Sequence, residues 1–239
     1  MALDDLALLD VWERMAGIGR PWREIALLAE ASGEPAEQLA TLTIGERDRL
    51  LIGLRQQLLG DRFDCETFCP ACDTHLELTL DSSQLLLPRP LPSDAELHLH
   101  EGEYLATCRL PTSADLAACN DQAHPADALL ALCVHVVDRS GAVIDARQLP
   151  KPMRDRVDAH VGALDPQAEI LLDLRCPGCG HGWQAAFDPA AFLLHEIDAY
   201  ALQVLDDVHR LARAYGWSER DILAMRPSRR RRYLDRVLQ

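Results

Sequence analysis

Apolar residues at helical spacing fill the first third of the chain. Leu6, Leu9, Trp12 and Met15 recur every three residues and predict a helix, which the stretch from Gly17 to Arg20 breaks. A second helix is predicted from Pro21 to Ala31, with Pro21 in its first turn. Ser32-Gly33-Glu34-Pro35 then reads as a turn. Thr43 followed by Glu46 fits a capping box, and the stripe Leu50, Leu51, Leu54 and Leu58 carries that helix to Gly60, a suitable C′ residue.

The pattern then changes to strand-like runs in pairs. Asp61 to Glu66 and His75 to Leu80 flank Cys69-Pro70-Ala71-Cys72, and Leu85 to Leu87 forms a short turn after them. Pro88, Pro90 and Pro92 exclude a regular helix and predict an extended connector. Glu96 to His100 and Tyr104 to Leu110 flank Glu101-Gly102 as a hairpin. Pro111-Thr112-Ser113 turns the chain into a helix from Ala114 to Cys119, and Pro125 opens another that runs to Val136. Ser140-Gly141 is a turn, and a helix from Pro152 to Leu164 stops at Asp165-Pro166.

A second pair of strand-like runs, Ala168 to Leu174 and Gly182 to Phe187, flanks Cys176-Pro177-Gly178-Cys179. Asp188-Pro189 supplies an N-cap and a proline at the first helical position. Leu193, Ile197, Tyr200, Val204, Val208, Leu211 and Tyr215 form one stripe from there to Gly216; at ~1.5 Å per residue this helix extends roughly 40 Å. Ser218 with Asp221, and Ser228 leading into Tyr233, Leu234 and Val237, begin two short closing helices. The predicted class is α+β and predominantly helical. Its expected organisation is a helical region over 1–60, a first hairpin over 61–87, an inserted hairpin and helices over 88–167, a second hairpin over 168–188, and a C-terminal region over 189–239 with a long helix, two short helices and a basic tail. The two hairpins form a weak internal repeat, each closing at an acidic residue (Asp81, Asp188) before a helical turn.

A strand, a Cys-Pro-x-Cys turn and a returning strand make a knuckle whose two thiolates point to one side. Two such knuckles supply the four sulfurs of a closed zinc site, Cys69, Cys72, Cys176 and Cys179. The result is a split four-Cys zinc ribbon with helices around it. The expectation constrains the fold strongly, because 103 residues lie between Cys72 and Cys176. An iron centre of rubredoxin type would use the same ligands, and two separate incomplete sites, or a site that has lost its metal, are the other readings. Redox chemistry of the thioredoxin kind is disfavoured, since neither pair follows a strand and opens a helix. Four thiolates leave no open position for an activated water. Cys65, His75 and His181 lie close by in sequence but are expected outside the ligand set, and Cys108, Cys119 and Cys133 sit in apolar runs as buried thiols.

Composition narrows the function. There is no charged segment followed by a signal-like apolar run, and no apolar run near eighteen residues, so a reducing cytosol is expected and eight cysteines point to metal rather than crosslinks. The apolar fraction of 48% is ample for a core. Lys151 is the one lysine among 24 basic residues. The net charge of −14 is unfavourable for phosphate binding. From His209 to Gln239, nine arginines against Glu219, Asp221 and Asp235 leave +6, so the remainder carries −20. Arg226, Arg229, Arg230, Arg231, Arg232 and Arg236 therefore read either as a surface for an acidic protein or as the solvated side of a helix. Contact with protein is favoured over nucleic acid because the body is so acidic. No phosphate-binding loop, nucleophile elbow or His-Glu-x2-His is present. Asp4-Asp5, Asp206-Asp207 and His195-Glu196 are helical neighbours that diverge by about 100°. His98 and His100 share one strand face as a solvent-facing pair. An enzyme is not expected.

Several segments carry a family resemblance: the helix from Thr43 to Gly60 running through Phe63 into the first Cys-Pro-x-Cys; Arg109-Leu110-Pro111-Thr112-Ser113-Ala114-Asp115-Leu116; Leu164-Asp165-Pro166-Gln167-Ala168; the second Cys-Pro-x-Cys with Gly180-His181; and His209 to Ser218 followed by Ile222-Leu223. Together they resemble the baseplate hub assembly chaperones of T-even-type contractile phages, which phage-tail-like contractile injection clusters also encode. The resemblance implies a small factor of the bacterial cytosol, or a minor component of the tail particle, that binds hub or spike proteins and takes no small-molecule substrate. Trp217 and Tyr233, with Arg229 to Arg232, are the expected partner-facing residues. A zinc-ribbon regulator that binds nucleic acid is the alternative.

Overall fold

The computed structural model describes residues 4–87 and 97–237. Local signals at both ends define its longest element, the helix α9 (Pro189–Tyr215). Asp188 Oδ1 accepts the Ala191 N–H at 2.9 Å, and Gly216, at φ 69°, donates its N–H to Ala212 O at 2.8 Å. The inner face of α9 buries Leu193, Ile197, Ala201, Val204 and Leu211. Against it pack α1 (Asp5–Arg14) and α4 (Ile44–Leu59), while α2 (Trp22–Ser32) and the short α3 (Ala36–Ala40) complete one helical core. Periodicity overreaches at the edges of this core. Leu6, Leu50 and Tyr215 lie on the predicted stripes yet are 49%, 44% and 39% exposed, whereas Arg47, Asp48 and Arg55 of α4 are buried.

Buried and partly buried charges tie the helices to one another. Arg55 donates to both carboxylate oxygens of Glu196 at 2.7 and 2.9 Å and lies 4.2 Å from the Phe63 ring centroid. Trp12 Nε1 and Arg23 both donate to Asp198 Oδ1, at 2.8 and 3.0 Å.

The two hairpins grow from this frame. The antiparallel pair β1 (Arg62–Phe68) and β2 (His75–Asp81) continues α4, and the pair β7 (Ile170–Arg175) and β8 (Gly182–Phe187) runs into α9. Alternate residues of each strand face inward, as a period of two requires. Their roots share a core of Ile52, Phe63 and Ile170, with Phe187 and Phe192 packed on Phe63 at centroid distances of 6.0 and 5.5 Å. Leu85, in the single turn α5 (Ser82–Leu85), closes it.

Between the hairpins lies a four-stranded antiparallel sheet in the order β3 (Leu97–Glu101), β4 (Tyr104–Cys108), β5 (Val134–Asp138), β6 (Val143–Ile144). Three helices accompany it: α6 (Ser113–Cys119), α7 (Pro125–Cys133) and α8 (Lys151–Leu164). The expected helix from Pro125 to Val136 stops at Cys133; the β-branched run Val134, Val136 and Val137 leaves it to pair with Tyr104–Cys108. Cys108 and Cys133 are buried thiols whose pKa values burial pushes up to about 11 and about 12. The predicted connector at Pro88, Pro90 and Pro92, and Glu96 at the start of the predicted hairpin, lie outside the described residues.

The start of α4 is where distant segments meet. Thr43 and Glu46 form the capping box, leaving N–H groups of the first turn to be satisfied from elsewhere. Ile44 N–H donates to Pro111 O at 3.2 Å, and Gly45 N–H to Asp165 Oδ2 at 2.8 Å. Two positions on, the buried Gln167 accepts from Leu87 N–H at 2.8 Å and donates to Leu85 O at 3.0 Å. Asp165 is 2% exposed, and a Cβ on Gly45 would lie 1.8 Å from its Oδ1. Gly45→Ala is therefore expected to cost about 1–3 kcal/mol by overpacking. In an Asp165→Ala background the same change should be neutral or stabilising, since alanine is the better helix former. Thermal unfolding of the four variants closes the cycle; equal destabilisation in both backgrounds would show that the contact is unimportant.

Candidate metal centre

The two Cys-Pro-x-Cys turns have the same backbone geometry. In the first, Cys69 N–H donates to Thr74 O at 2.9 Å and Asp73 N–H returns to Cys69 O at 2.9 Å; in the second, Cys176 N–H donates to His181 O at 2.9 Å and Gly180 N–H to Cys176 O at 3.0 Å. The residue after the second cysteine has positive φ in both, 57° at Asp73 and 75° at Gly180. Glycine adopts that conformation freely and aspartate tolerates it. The turns are also packed on each other: a Cβ on Gly178 would lie 3.2 Å from Thr74 Oγ1.

This pairing brings together cysteines from opposite ends of the inserted region. Cys69 Sγ lies 3.7 Å from Cys179 Sγ, Cys72 Sγ lies 3.6 Å from Cys176 Sγ, and all four sulfurs fall within 4.8 Å of one another. A zinc–sulfur bond of ~2.3 Å places tetrahedral sulfurs about 3.8 Å apart. The first cysteine of each pair, Cys69 and Cys176, is buried, and the second, Cys72 and Cys179, is exposed. One side of the cluster is thus sealed by protein and the other faces solvent.

The electrostatics of the cluster favour a bound cation. Hydrogen bonds from the Thr74 side chain and amide draw Cys72 down to about 6, and the amides of Cys179 and Gly178 lower Cys176. The His181 amide favours the Cys179 thiolate too, but crowding by Cys72, burial and the other two sulfurs outweigh it and push that thiol up to about 12. Without a cation among them, four negative sulfurs at this spacing cannot all ionise. Four protein ligands would complete a tetrahedron and leave no position for a reacting water.

The neighbouring candidates stand outside the cluster. Cys65 is half-buried in β1, His75 contacts Glu66 at 3.1 Å and lies tilted against the Phe68 ring at 5.1 Å, and His181 stacks on Trp183. His98 and His100 are exposed on β3, with His98 at 3.1 Å from Thr107 Oγ1.

The residues expected to face a partner come after α9, on and before α11 (Pro227–Val237), which follows α10 (Glu219–Leu223). Trp217 stacks on Tyr215 at 4.5 Å and meets Tyr233 edge-on at 4.9 Å, above a small core of Leu211, Ile222 and Leu234. Both aromatics are half-buried, so much of their area is spent holding α10 and α11 to α9. Arg229, Arg231 and Arg232 are exposed. Arg230 corrects the expectation: it is 3% exposed, with ion pairs to Asp5 at 2.6 Å and Asp207 at 3.4 Å, and Tyr200 donates to the same Asp5 at 2.7 Å. It anchors α11 to α1 and α9 and is not available to a partner. A run of arginines shows no such exception in sequence; the only signal was that the helix turn must point one of four consecutive residues inward.

A family model described as T4 bacteriophage base plate protein matches residues 26–193. Comparison with curated proteins and with solved structures finds no match. The matched span opens within α2 and ends in the first turns of α9, so both cysteine pairs lie inside it and α10 and α11 outside. The chain belongs to the T4-type baseplate protein family. As for the cluster, metal analysis of the purified protein should find one ion per chain. Cobalt exchange should give the visible absorption of four-thiolate coordination, lost in Cys72→Ser. A protein isolated metal-free that takes up no cobalt would refute a metal centre.

Proposed function

We propose that this baseplate protein is a non-catalytic binding factor, stapled by zinc, that assists assembly of the baseplate hub of a contractile tail or tail-like injection system in the bacterial cytosol. The observation that carries the reading is the family match across both cysteine pairs. The chemistry of the cluster supports it, because a four-thiolate zinc ribbon offers rigidity and no reactive site. Zinc is the commoner occupant of such a set and has no redox chemistry of its own, which suits a staple. Among the described residues no helix is long and apolar enough to cross a membrane.

The partner surface runs from the outer side of α9 over α10 and α11. Leu202 and Tyr215 are 59% and 39% exposed there, and Arg229, Arg231 and Arg232 stand beside the aromatic cluster. This mixture fits an acidic patch on a hub or spike protein, with Trp217 and Tyr233 as anchors at its edge. The same arginines are what a nucleic-acid reading would use, but the −14 charge opposes it.

Two measurements test the reading. Chelation, or Cys72→Ser with Cys176→Ser, is expected to unfold or aggregate the protein, because metal binding and folding share their free energy; full thermal stability after complete metal removal would dismiss the staple. Co-expression with the hub and spike proteins of the same gene cluster should give a complex. That complex should weaken at least tenfold when Arg229, Arg231 and Arg232 become glutamate, while Arg230→Ala should act through stability. Salt-dependent binding of DNA, with no hub complex, would favour the regulator instead.

A further inference from the structure

A cavity of about 640 Å³ opens between α2, the first turns of α4, helices α6 and α7, and the root of the second hairpin. None of the four clustered cysteines lines it, nor does any residue of α11. Part of its wall is apolar, with Ile44, Leu116 and Leu129 among the contributors. The charged part of the lining is unbalanced. Glu24, Asp48, Glu169 and Asp188 face only Arg20 and Arg47.

Both arginines are already committed. Arg20 contacts Glu24 Oε1 and spans Asp188 with bonds of 2.7 and 3.2 Å, while Arg47 donates to Asp48 Oδ1 at 2.7–2.8 Å. Glu24 is fully buried and its Oε2 has no hydrogen-bond partner. Glu169, exposed at the rim, has no ion-pair partner among the described residues. An ionised carboxylate oxygen buried without a donor is costly, and a site with two surplus negative charges is one that a cation would complete.

We infer that this cavity receives an arginine side chain of another protein, presented beside an apolar residue. The guanidinium would donate to Glu24 Oε2 and to Asp48 or Glu169, a planar multi-donor fit that a lysine ammonium cannot match. Its methylene stem and the neighbouring residue would cover the apolar wall, and the volume exceeds what one side chain fills. Burial pushes the Asp48 carboxyl up to about 6, as expected of a group whose present partner compensates it incompletely. That the occupant belongs to a protein rests on the assembly reading above; the charge and shape of the cavity do not.

The test uses the full chain and acetyl-leucyl-arginyl-leucine amide, followed by the shifts of backbone amides. The same peptide with citrulline keeps the shape and removes the charge. The arginine peptide should bind at least tenfold more tightly than the citrulline one and shift amides of Glu24, Asp48, Leu116, Glu169 and Asp188. Glu24→Gln should weaken it about tenfold; should that variant not fold, Glu169→Gln at the rim should weaken it severalfold without changing the thermal midpoint. Equal binding of both peptides, shifts spread over the acidic surface, or no shift at millimolar peptide would each overturn the inference. Because the readout is a small peptide, it stands or falls separately from hub binding, which the arginine variants of α11 report.

Discussion

Four sulfurs confined within 4.8 Å form the tightest constraint in the molecule, because as thiolates they repel one another until a cation sits among them. The constraint acts on the whole chain. It closes a loop of 103 residues, whose entropic cost grows only slowly with length and which metal binding can offset. With the two turns held together at one end, the hairpin roots meet at the other over Phe63, Ile170 and Phe187. The inserted region between them is then free to build its own sheet and its own core.

The helical frame meets the hairpins from the other end. α4 delivers the chain into the first hairpin and α9 carries it out of the second, so the Arg55–Glu196 pair between these helices sets the spacing of the hairpin roots. Arg55 is buried and Glu196 partly so, so loss of Glu196 would leave the buried guanidinium without its carboxylate. The start of α4 adds a second closure. There Pro111 and Asp165, from the two sides of the inserted region, satisfy N–H groups that the capping box leaves open. The segments that carried the family resemblance, around Thr112 and Asp165, therefore meet at one helix terminus.

How much of this was legible in the residues depended on range. The knuckles were legible because each is a four-residue turn whose ligand spacing, strand flanks and closing hydrogen bonds are all local. The ends of α9 were legible for the same reason, with Asp188-Pro189 and Gly216 acting on their immediate neighbours. Val134 to Asp138 was not, because a run following helical residues becomes a strand only when Tyr104–Cys108 is there to pair with it. Leu50 was misplaced because its stripe shows where apolar residues repeat, not where the next helix lies, and α4 turns Arg47 and Arg55 inward to partners on other elements.

The sequence alone determined the helix-rich α+β character, the two cysteine turns, and the segments through which the family is recognised. Those are matters of residue type, period and spacing over a few residues. Tertiary structure alone decided that the turns face each other at bonding distance for one ion, and that Arg230 is an anchor between Asp5 and Asp207 while its neighbours stay exposed. It alone assembled Glu24, Asp48 and Glu169 around a common cavity. The reason is the same in each case. Charge and burial are properties of what stands opposite a side chain, and here what stands opposite lies roughly a hundred residues away or more, or arrives on a different helix.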